Sequence, residues 1–308
     1  MKRYNSFGFY MKNKFGGRVY KVNVDAGFTC PNRDGTLGVS GCIYCNNDSF
    51  RPSSCKPTLS VSEQIRSGMK HIRKRYKAEK FLVYFQPYTN TYAPRAELEA
   101  IYGEALDAPD VIGLAIGTRP DSVDEDKISM LASLAKQHFI LVEYGLQSIY
   151  DKSLAFINRG HDYSTFLRAM DLTKDRGIFI GAHLIAGFPT ETRDEMLAMA
   201  EEISYLPVQF LKIHQLQVVK DTPLAEIFSV HPFHTFGYDE YLNFVVDFLE
   251  RTAPHVIFQR LFATAPDDIL VAPGWDRSRH RILNDVEKTM EARDTYQGRL
   301  FRVQSVRG

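Results

Sequence analysis

Short apolar runs and helix-like segments take turns along this chain from about residue 20 to about residue 250. The apolar runs at residues 19–24, 80–85, 111–116, 139–144, 178–185 and 210–216 have the length and composition of strands. Between them, residues 62–76, 95–106, 124–136, 163–176, 193–205 and 238–250 carry helical periodicity. Ser62, Asp124 and Thr192 are suited to cap three of these helices. Strand–helix alternation predicts a parallel sheet with right-handed crossovers. Six such units make an α/β fold, a partial (β/α)6 TIM-like barrel, with active residues at the strand C-termini and in the loops that follow. The pattern divides the chain into an N-terminal segment (1–18), a barrel core (19–250) and a small C-terminal extension (251–308). The extension holds a strand-like stretch at 255–262, a loop with Pro266, Pro273 and Gly274, a helix near 277–293 and a basic tail.

Composition narrows the class. With 44% apolar and 12% aromatic residues in 308, disorder is excluded and a large core is expected. The formal net charge of +1 predicts neither strong attraction to nucleic acid nor repulsion from it. No apolar stretch reaches 18 residues, and the opening MKRYNSFGFYMKNKFGG has no signal-peptide core. A cytoplasmic protein with reduced thiols and no membrane association is the expectation.

Three of the four cysteines fall in the phrase GFTCPNRDGTLGVSGCIYC. Eleven residues separate Cys30 from Cys42, and two separate Cys42 from Cys45. Three thiolates can hold three irons of a cubic cluster and leave the fourth open to an external ligand. Structural zinc is the rival, although it favours two short-spaced ligand pairs and only one is present. The surrounding Pro31, Asn32, Asp34, Gly35, Gly38 and Gly41 mark a loop. Cys55 is left over, as a packing thiol or a hydrogen-atom relay, and four cysteines cannot supply a second cluster.

Strand period adds further candidates. Glu143, Gly145 and Gln147 alternate and share one face, as do Lys212 and His214. A carboxylate and an amide facing a barrel interior must be paired or contact a ligand. For Glu143 an ion pair with Arg119 or Lys212 is the alternative to a ligand contact. Lys212 and His214 are candidate catalytic groups, since histidine exchanges protons near neutral pH.

The phrases GFTCPNRDGT with GCIYC, YFQPYTNTYAP, GTRPDSV, VEYGLQSIYDKSLAFINRGHD, HLIAGFPTET, LKIHQLQVVKDTPLA, and LVAPGW with RDTYQG run in order along nearly the whole chain. Together they resemble the radical S-adenosylmethionine (radical SAM) superfamily, and within it the YtqA/YhcC-like family related to the elongator-type radical SAM domain. Two departures from the commonest superfamily pattern stand out. The first cysteine gap is longer than in C-x3-C-x2-C, and Gln86-Pro87-Tyr88-Thr89-Asn90 replaces Gly-Gly-Glu. The resemblance implies a 4Fe-4S cluster on Cys30, Cys42 and Cys45, with S-adenosylmethionine on the open iron. It implies reductive cleavage of that cofactor to a 5′-deoxyadenosyl radical, with cluster and cofactor carrying the hard step. Tyr44 is placed by resemblance near adenine, and Gln147 and Ser148 near the ribose. Arg159 is placed at the methionine carboxylate and His183 near adenine, with Gln86, Asn90 and Glu143 completing the cofactor contacts. An electron donor such as flavodoxin or ferredoxin is implied.

Close relatives by resemblance look like enzymes of the tRNA wobble uridine, converting 5-carboxymethylaminomethyluridine to 5-aminomethyluridine. Hydrogen abstraction from the methylene between nitrogen and carboxylate, one-electron oxidation to an imine and hydrolysis would release the amine and glyoxylate. Lys212, His214 or Arg119 would grip the substrate carboxylate. Two basic segments bear on tRNA as a partner. Arg66, Lys70, Arg73, Lys74, Arg75, Lys77 and Lys80 read as a solvated helix face. Arg277, Arg279, Arg281, Arg293, Arg299, Arg302 and Arg307, interleaved with Trp275, Tyr296 and Phe301, suit RNA better, because aromatics stack on unpaired bases. The extension is thus the expected tRNA contact. A radical SAM enzyme acting on a metabolite or a protein, and a non-catalytic iron–sulfur or zinc protein, are the alternatives.

Overall fold

The structure is a computed structural model that describes residues 2–46 and 58–302, so Cys55 and Arg307 lie outside the described residues. The chain begins with α1 (Phe7–Phe15), β1 (Val19–Val24), α2 (Val61–Tyr76), β2 (Lys80–Phe85), α3 (Arg95–Leu106) and β3 (Val111–Thr118). It continues with α4 (Glu125–Ala135), β4 (Phe139–Gln147), α5 (Asp151–Phe156), α6 (Tyr163–Thr173), β5 (Phe179–Ala186), α7 (Arg193–Tyr205) and β6 (Phe210–Gln215). The remainder is β7 (Val218–Val219), α8 (Pro223–Val230), α9 (Tyr238–Arg251), β8 (Ile257–Arg260), β9 (Leu270–Ala272) and α10 (Arg279–Ala292). Seven strands form one parallel sheet in the order β1-β2-β3-β4-β5-β6-β8, curled into a partial TIM-like barrel.

Local chemistry explains the element ends. Thr192 caps α7 in a reciprocal box with Glu195, and Asp124 caps α4, both as the sequence predicts. For α2 the cap is Ser60, boxed with Glu63, so that helix starts before Ser62. The expected sheet had six strands. The seventh, β8, comes from the C-terminal extension and pairs in parallel with β6, so the extension is built into the barrel. The segment before residue 19 is also structural. Its helix α1 ends at Gly16 in the left-handed region, and Asn5 O accepts from Phe258 N at 2.8 Å.

Strand alternation sorts the side chains into two layers. Outward residues such as Phe81, Val83, Ile140, Val142, Leu211 and Ile213 pack under the helices. Inward residues at the strand N-terminal ends, including Leu82, Phe139, Leu141 and Phe210, pack around Met11 of α1, with Phe7, Tyr10 and Phe15 against them. Edge-to-face contacts join Phe7 to Phe210 at 5.4 Å and Phe15 to Phe139 at 5.9 Å between ring centroids. Thus α1 plugs the lower end of the barrel and leaves the upper end for chemistry.

Phe210 is fully buried at the centre of this plug. Phe210→Ala is expected to cost about 3–5 kcal/mol of stability through lost burial and a residual cavity. Chemical denaturation checks this, with a midpoint close to wild type contradicting the aromatic plug.

Candidate active site

At the strand C-termini the loops after β1 through β4 and after β6 enclose a cavity of about 200 Å³. Cys30, Cys42 and Cys45 all line it. Backbone bonds shape their loop: Cys30 O accepts from Arg33 N at 2.8 Å, Asn32 O from Gly41 N at 2.7 Å and Cys42 O from Cys45 N at 3.0 Å. The turn after α5 clamps the loop from outside. Asn158 Nδ2 donates to Gly41 O at 2.8 Å, and Asn158 O accepts from Asn32 Nδ2 at 2.7 Å. From the same turn, Arg159 Nη1 reaches Cys42 Sγ at 3.4 Å while Nη2 donates to Gly145 O at 2.5 Å. A Cβ on residue 145 would stand 2.7 Å from Arg159 Nη2 and 2.8 Å from Gln147 Nε2, so a larger residue there would displace both side chains. Among the described residues, no three His, Cys, Asp or Glu side chains converge to hold a single metal ion. A tetrahedral zinc ion needs such convergence, whereas a cubic cluster offers each thiolate its own iron.

Just above the aromatic plug lies a polar layer. Glu143 on β4 accepts from Lys21 of β1 at 3.1 Å and pairs through its other oxygen with Lys212 of β6. Tyr84 OH accepts from Lys212 Nζ at 2.7 Å, and Gln259 Oε1 accepts from Lys21 Nζ at 2.6 Å. Burial alone would raise the pKa of Glu143, but Lys21 and Lys212 override it and hold the carboxylate well below its usual range. Burial pulls Lys212 down to about 7, against the attraction of Glu143 and with help from the charges of Lys21 and Arg260. Burial likewise lowers His183, with His214 and Lys212 adding to the effect, and lowers His214 to about 4. Both rings are therefore neutral at pH 7, edge to face with centroids 4.8 Å apart. His214 Nδ1 donates to Gln215 O at 2.7 Å, which leaves Nε2 as an acceptor.

Several buried polar atoms on the cavity residues have no partner among the described residues: Thr89 Oγ1, Arg119 Nη1, Gln147 Oε1, Arg159 Nε and His183 Nε2. Buried polar atoms are nearly always satisfied, so their clustering around one cavity marks a site shaped for a polar ligand. Tyr88 and Gln147, both lining it, hold φ of 63° and 76° in the left-handed region that favours glycine. Backbone strain of this kind concentrates at functional sites.

Residues 30–203, more than half the chain, match the Radical SAM superfamily, and residues 208–292 match the Radical_SAM C-terminal domain. The chain belongs to the radical SAM superfamily. It is similar to the uncharacterized protein YtqA of Bacillus subtilis, 33% identical over 98% of this chain and 94% of that one. A shorter stretch resembles the tRNA uridine(34) acetyltransferase of Methanocaldococcus infernus, 30% identical over 46% of this chain and 27% of that protein. Among solved structures, the Elp3 of Methanocaldococcus infernus superposes with a TM-score of 0.70 at 20% identity, covering 91% of this chain and 64% of that one. The fold is thus shared with that structure. Radical SAM enzymes work with a 4Fe-4S cluster and S-adenosylmethionine, and the donor set around the cavity suits both.

Most residues that the sequence nominates for radical SAM chemistry meet at this cavity. Tyr44, Gln86, Glu143, Gln147, Arg159, His183, Lys212 and His214 line it alongside the three cysteines. Two nominated residues do not. Ser148 donates to Glu191 Oε1 at 2.5 Å beneath the surface, and Asn90 Nδ2 donates to the carbonyls of Pro87 and Gly117 at 2.9 and 2.8 Å. Both bond to the loops that carry the site, and Asn90 Oδ1 is buried with no partner among the described residues. The ion pair of Glu143 is with Lys212 and not Arg119, which grips Asp121 through two bonds of 2.8 and 2.6 Å. Sequence reasoning passed over Lys21, Tyr84, Tyr88 and Arg260. Alternation along β1 and β2 gives little signal for the first two, since Lys21 shares its face with Val19 and Asn23, and Tyr84 with Lys80 and Leu82. Of the aromatics proposed for RNA stacking, Trp275 is packed against Tyr241 with its Nε1 donating to Phe236 O, while Tyr296 is exposed. Among the C-terminal arginines, Arg281 and Arg293 are paired with Asp285 and Asp247. The basic residues Arg66, Lys70, Arg73, Lys74, Arg75 and Lys77 lie on the exposed side of α2 and the turn after it, as a solvated face.

The lowered pKa of Lys212 sets a pH dependence. Between about 7 in the folded chain and its ordinary 10.5 when unfolded, the unfolded state holds the extra proton. Stability therefore rises with pH across that window, with a slope of up to about 1.4 kcal/mol per pH unit. Lys21 is shifted in the same direction, so Lys212→Met should reduce this rise without abolishing it. Denaturant midpoints measured from pH 7 to pH 10 check the prediction, and an unchanged slope in the variant contradicts it.

Proposed function

We propose that the chain is a radical SAM enzyme of the tRNA wobble uridine, removing the carboxymethyl group of 5-carboxymethylaminomethyluridine to leave 5-aminomethyluridine and glyoxylate. The observation that carries this reading is one cavity that joins three cysteine thiols to a buried set of ammonium and imidazole groups. The partial likeness to a tRNA uridine(34) acetyltransferase supports the choice of nucleic acid. When bound, cluster and S-adenosylmethionine would supply the abstraction of a hydrogen atom from a carbon of the substrate.

This chain's own residues would do the rest. Cys30, Cys42 and Cys45 would hold the cluster, with Arg159 and the Asn158 turn fixing the loop that presents them. Tyr44, Gln86, Gln147 and Arg159 would hold S-adenosylmethionine through cavity-facing groups, and Asn90 and Ser148 would brace them from behind. Neutral His214, with Nε2 free to accept, and Lys212, poised near neutrality, would manage the proton exchanges that hydrolysis of an imine requires. The walls that bury Lys212 would also keep bulk water from the reacting carbon. An electron donor such as a flavodoxin or ferredoxin would serve the cluster from outside. The exposed Tyr296 and the arginines Arg277 and Arg299 would offer tRNA a surface.

Nucleoside mass spectrometry of tRNA from a deletion strain tests the reading. The carboxymethylaminomethyl nucleoside should accumulate and the aminomethyl nucleoside should fall, and an unchanged profile removes the proposal. With tRNA deuterated at the carboxymethyl carbon, label should appear in 5′-deoxyadenosine. Cys42→Ala should abolish that transfer and strip iron from anaerobically purified protein.

A further inference from the structure

Charge in the cavity does not balance. Lys21, Lys212 and Arg260 surround the polar layer, and Glu143 is the carboxylate that answers them. Arg119 is neutralised by Asp121, and Arg159 and Arg33 lie beside the cysteine loop. Arg260 closes β8, half-buried, with its Cα opposite that of Lys212 on the neighbouring strand. Among the described residues, no carboxylate pairs with its guanidinium and no side chain or carbonyl accepts from it. It lines the same cavity as Lys212, His214 and His183, and its charge disfavours their protonated forms.

An arginine stays charged at any working pH, and leaving that charge part-buried and unanswered is costly. Its planar fork matches a carboxylate through two parallel hydrogen bonds. Of the three residues expected from sequence to grip a substrate carboxylate, Lys212 and Arg119 already hold acids of the protein, and His214 is neutral at pH 7 and offers no charge. We infer that Arg260 is the specificity-determining residue of the cavity and binds the carboxylate of the substrate, beside His214 and Lys212. The inference rests on the wobble-uridine reading for the identity of the substrate, though not for the carboxylate site itself. A carboxylate fixed there would bring the adjoining carbon to the proton-carrying groups, and its charge would answer the excess cation.

Two probes test it. The first is an anticodon stem-loop RNA carrying 5-carboxymethylaminomethyluridine, compared with the same RNA whose carboxylate is replaced by a carboxamide. Wild type should bind the acid at least about 30-fold more tightly than the amide, since an amide leaves the guanidinium unanswered. Arg260→Gln should collapse that ratio to about 3-fold or less, and Arg260→Lys should restore part of it. A wild-type ratio near one overturns the inference without recourse to any variant. So does an Arg260→Gln protein that weakens acid and amide equally, the result expected if the guanidinium meets an RNA phosphate. Loss of S-adenosylmethionine binding in Arg260→Gln, with the acid-to-amide ratio retained, assigns the residue to the cofactor and also overturns it. The second probe is N-methylglycine against its amide, read as thermal stabilisation. If the RNA fails but N-methylglycine stabilises wild type and not Arg260→Gln, the wobble-uridine reading falls while the carboxylate site stands.

Discussion

Glu143 is a buried carboxylate that two ammonium groups must cross the barrel interior to meet. Lys21 comes from β1 at one edge of the sheet and Lys212 from β6 near the other, while β4 sits between them. Lys21 also reaches Gln259 on β8, so one cluster ties together both edges of a sheet that does not close by hydrogen bonding. Burying three ionised groups carries a desolvation cost that their mutual attraction roughly offsets. The gain is therefore geometric. The cluster joins β1, β4, β6 and β8 across the barrel interior, and residues of the last three line the cavity.

The cysteine loop depends on that geometry at one remove. Its three thiols lie on a long excursion after β1, with few apolar side chains to anchor it. Its order comes from polar clamps: Asn158 and Arg159 on one side, and the backbone of Ile43, which donates to Ile157 and accepts from Leu224. Arg159 also holds Gly145, so the loop is referenced to β4, the strand that carries Glu143. A chain of contacts thus runs from the polar layer to the thiols without passing through any flexible side chain longer than one arginine.

Period-two alternation made much of this legible from sequence. Glu143, Gly145 and Gln147 share a face, as do Lys212 and His214, and all five line the cavity. For Glu143, Lys212 and His214 the pattern holds because strand backbone leaves a side chain only two directions, whereas Gln147 lies past a register shift in β4 with a left-handed backbone, where strict alternation does not place it. It fails where backbone turns. Asn90 and Ser148 stand in loops, where spacing says nothing of direction, and both bond inward to the scaffold. Arg119 finds its acid two residues away in a local turn, a contact that strand logic does not reach. The seventh strand was visible as an apolar run, but its place beside β6 is a tertiary fact, and with it Arg260 escaped notice. Helix α8 carried a readable signal in Thr222 followed by Pro223, a cap and a first-turn proline.

The plug formed by α1 has a bearing on traffic. With α1 stopping the base, guests enter from the loop end of the barrel or through the seam where β1 and β8 do not pair, and a group that reaches the polar layer lies deeper than anything held at the cysteine loop.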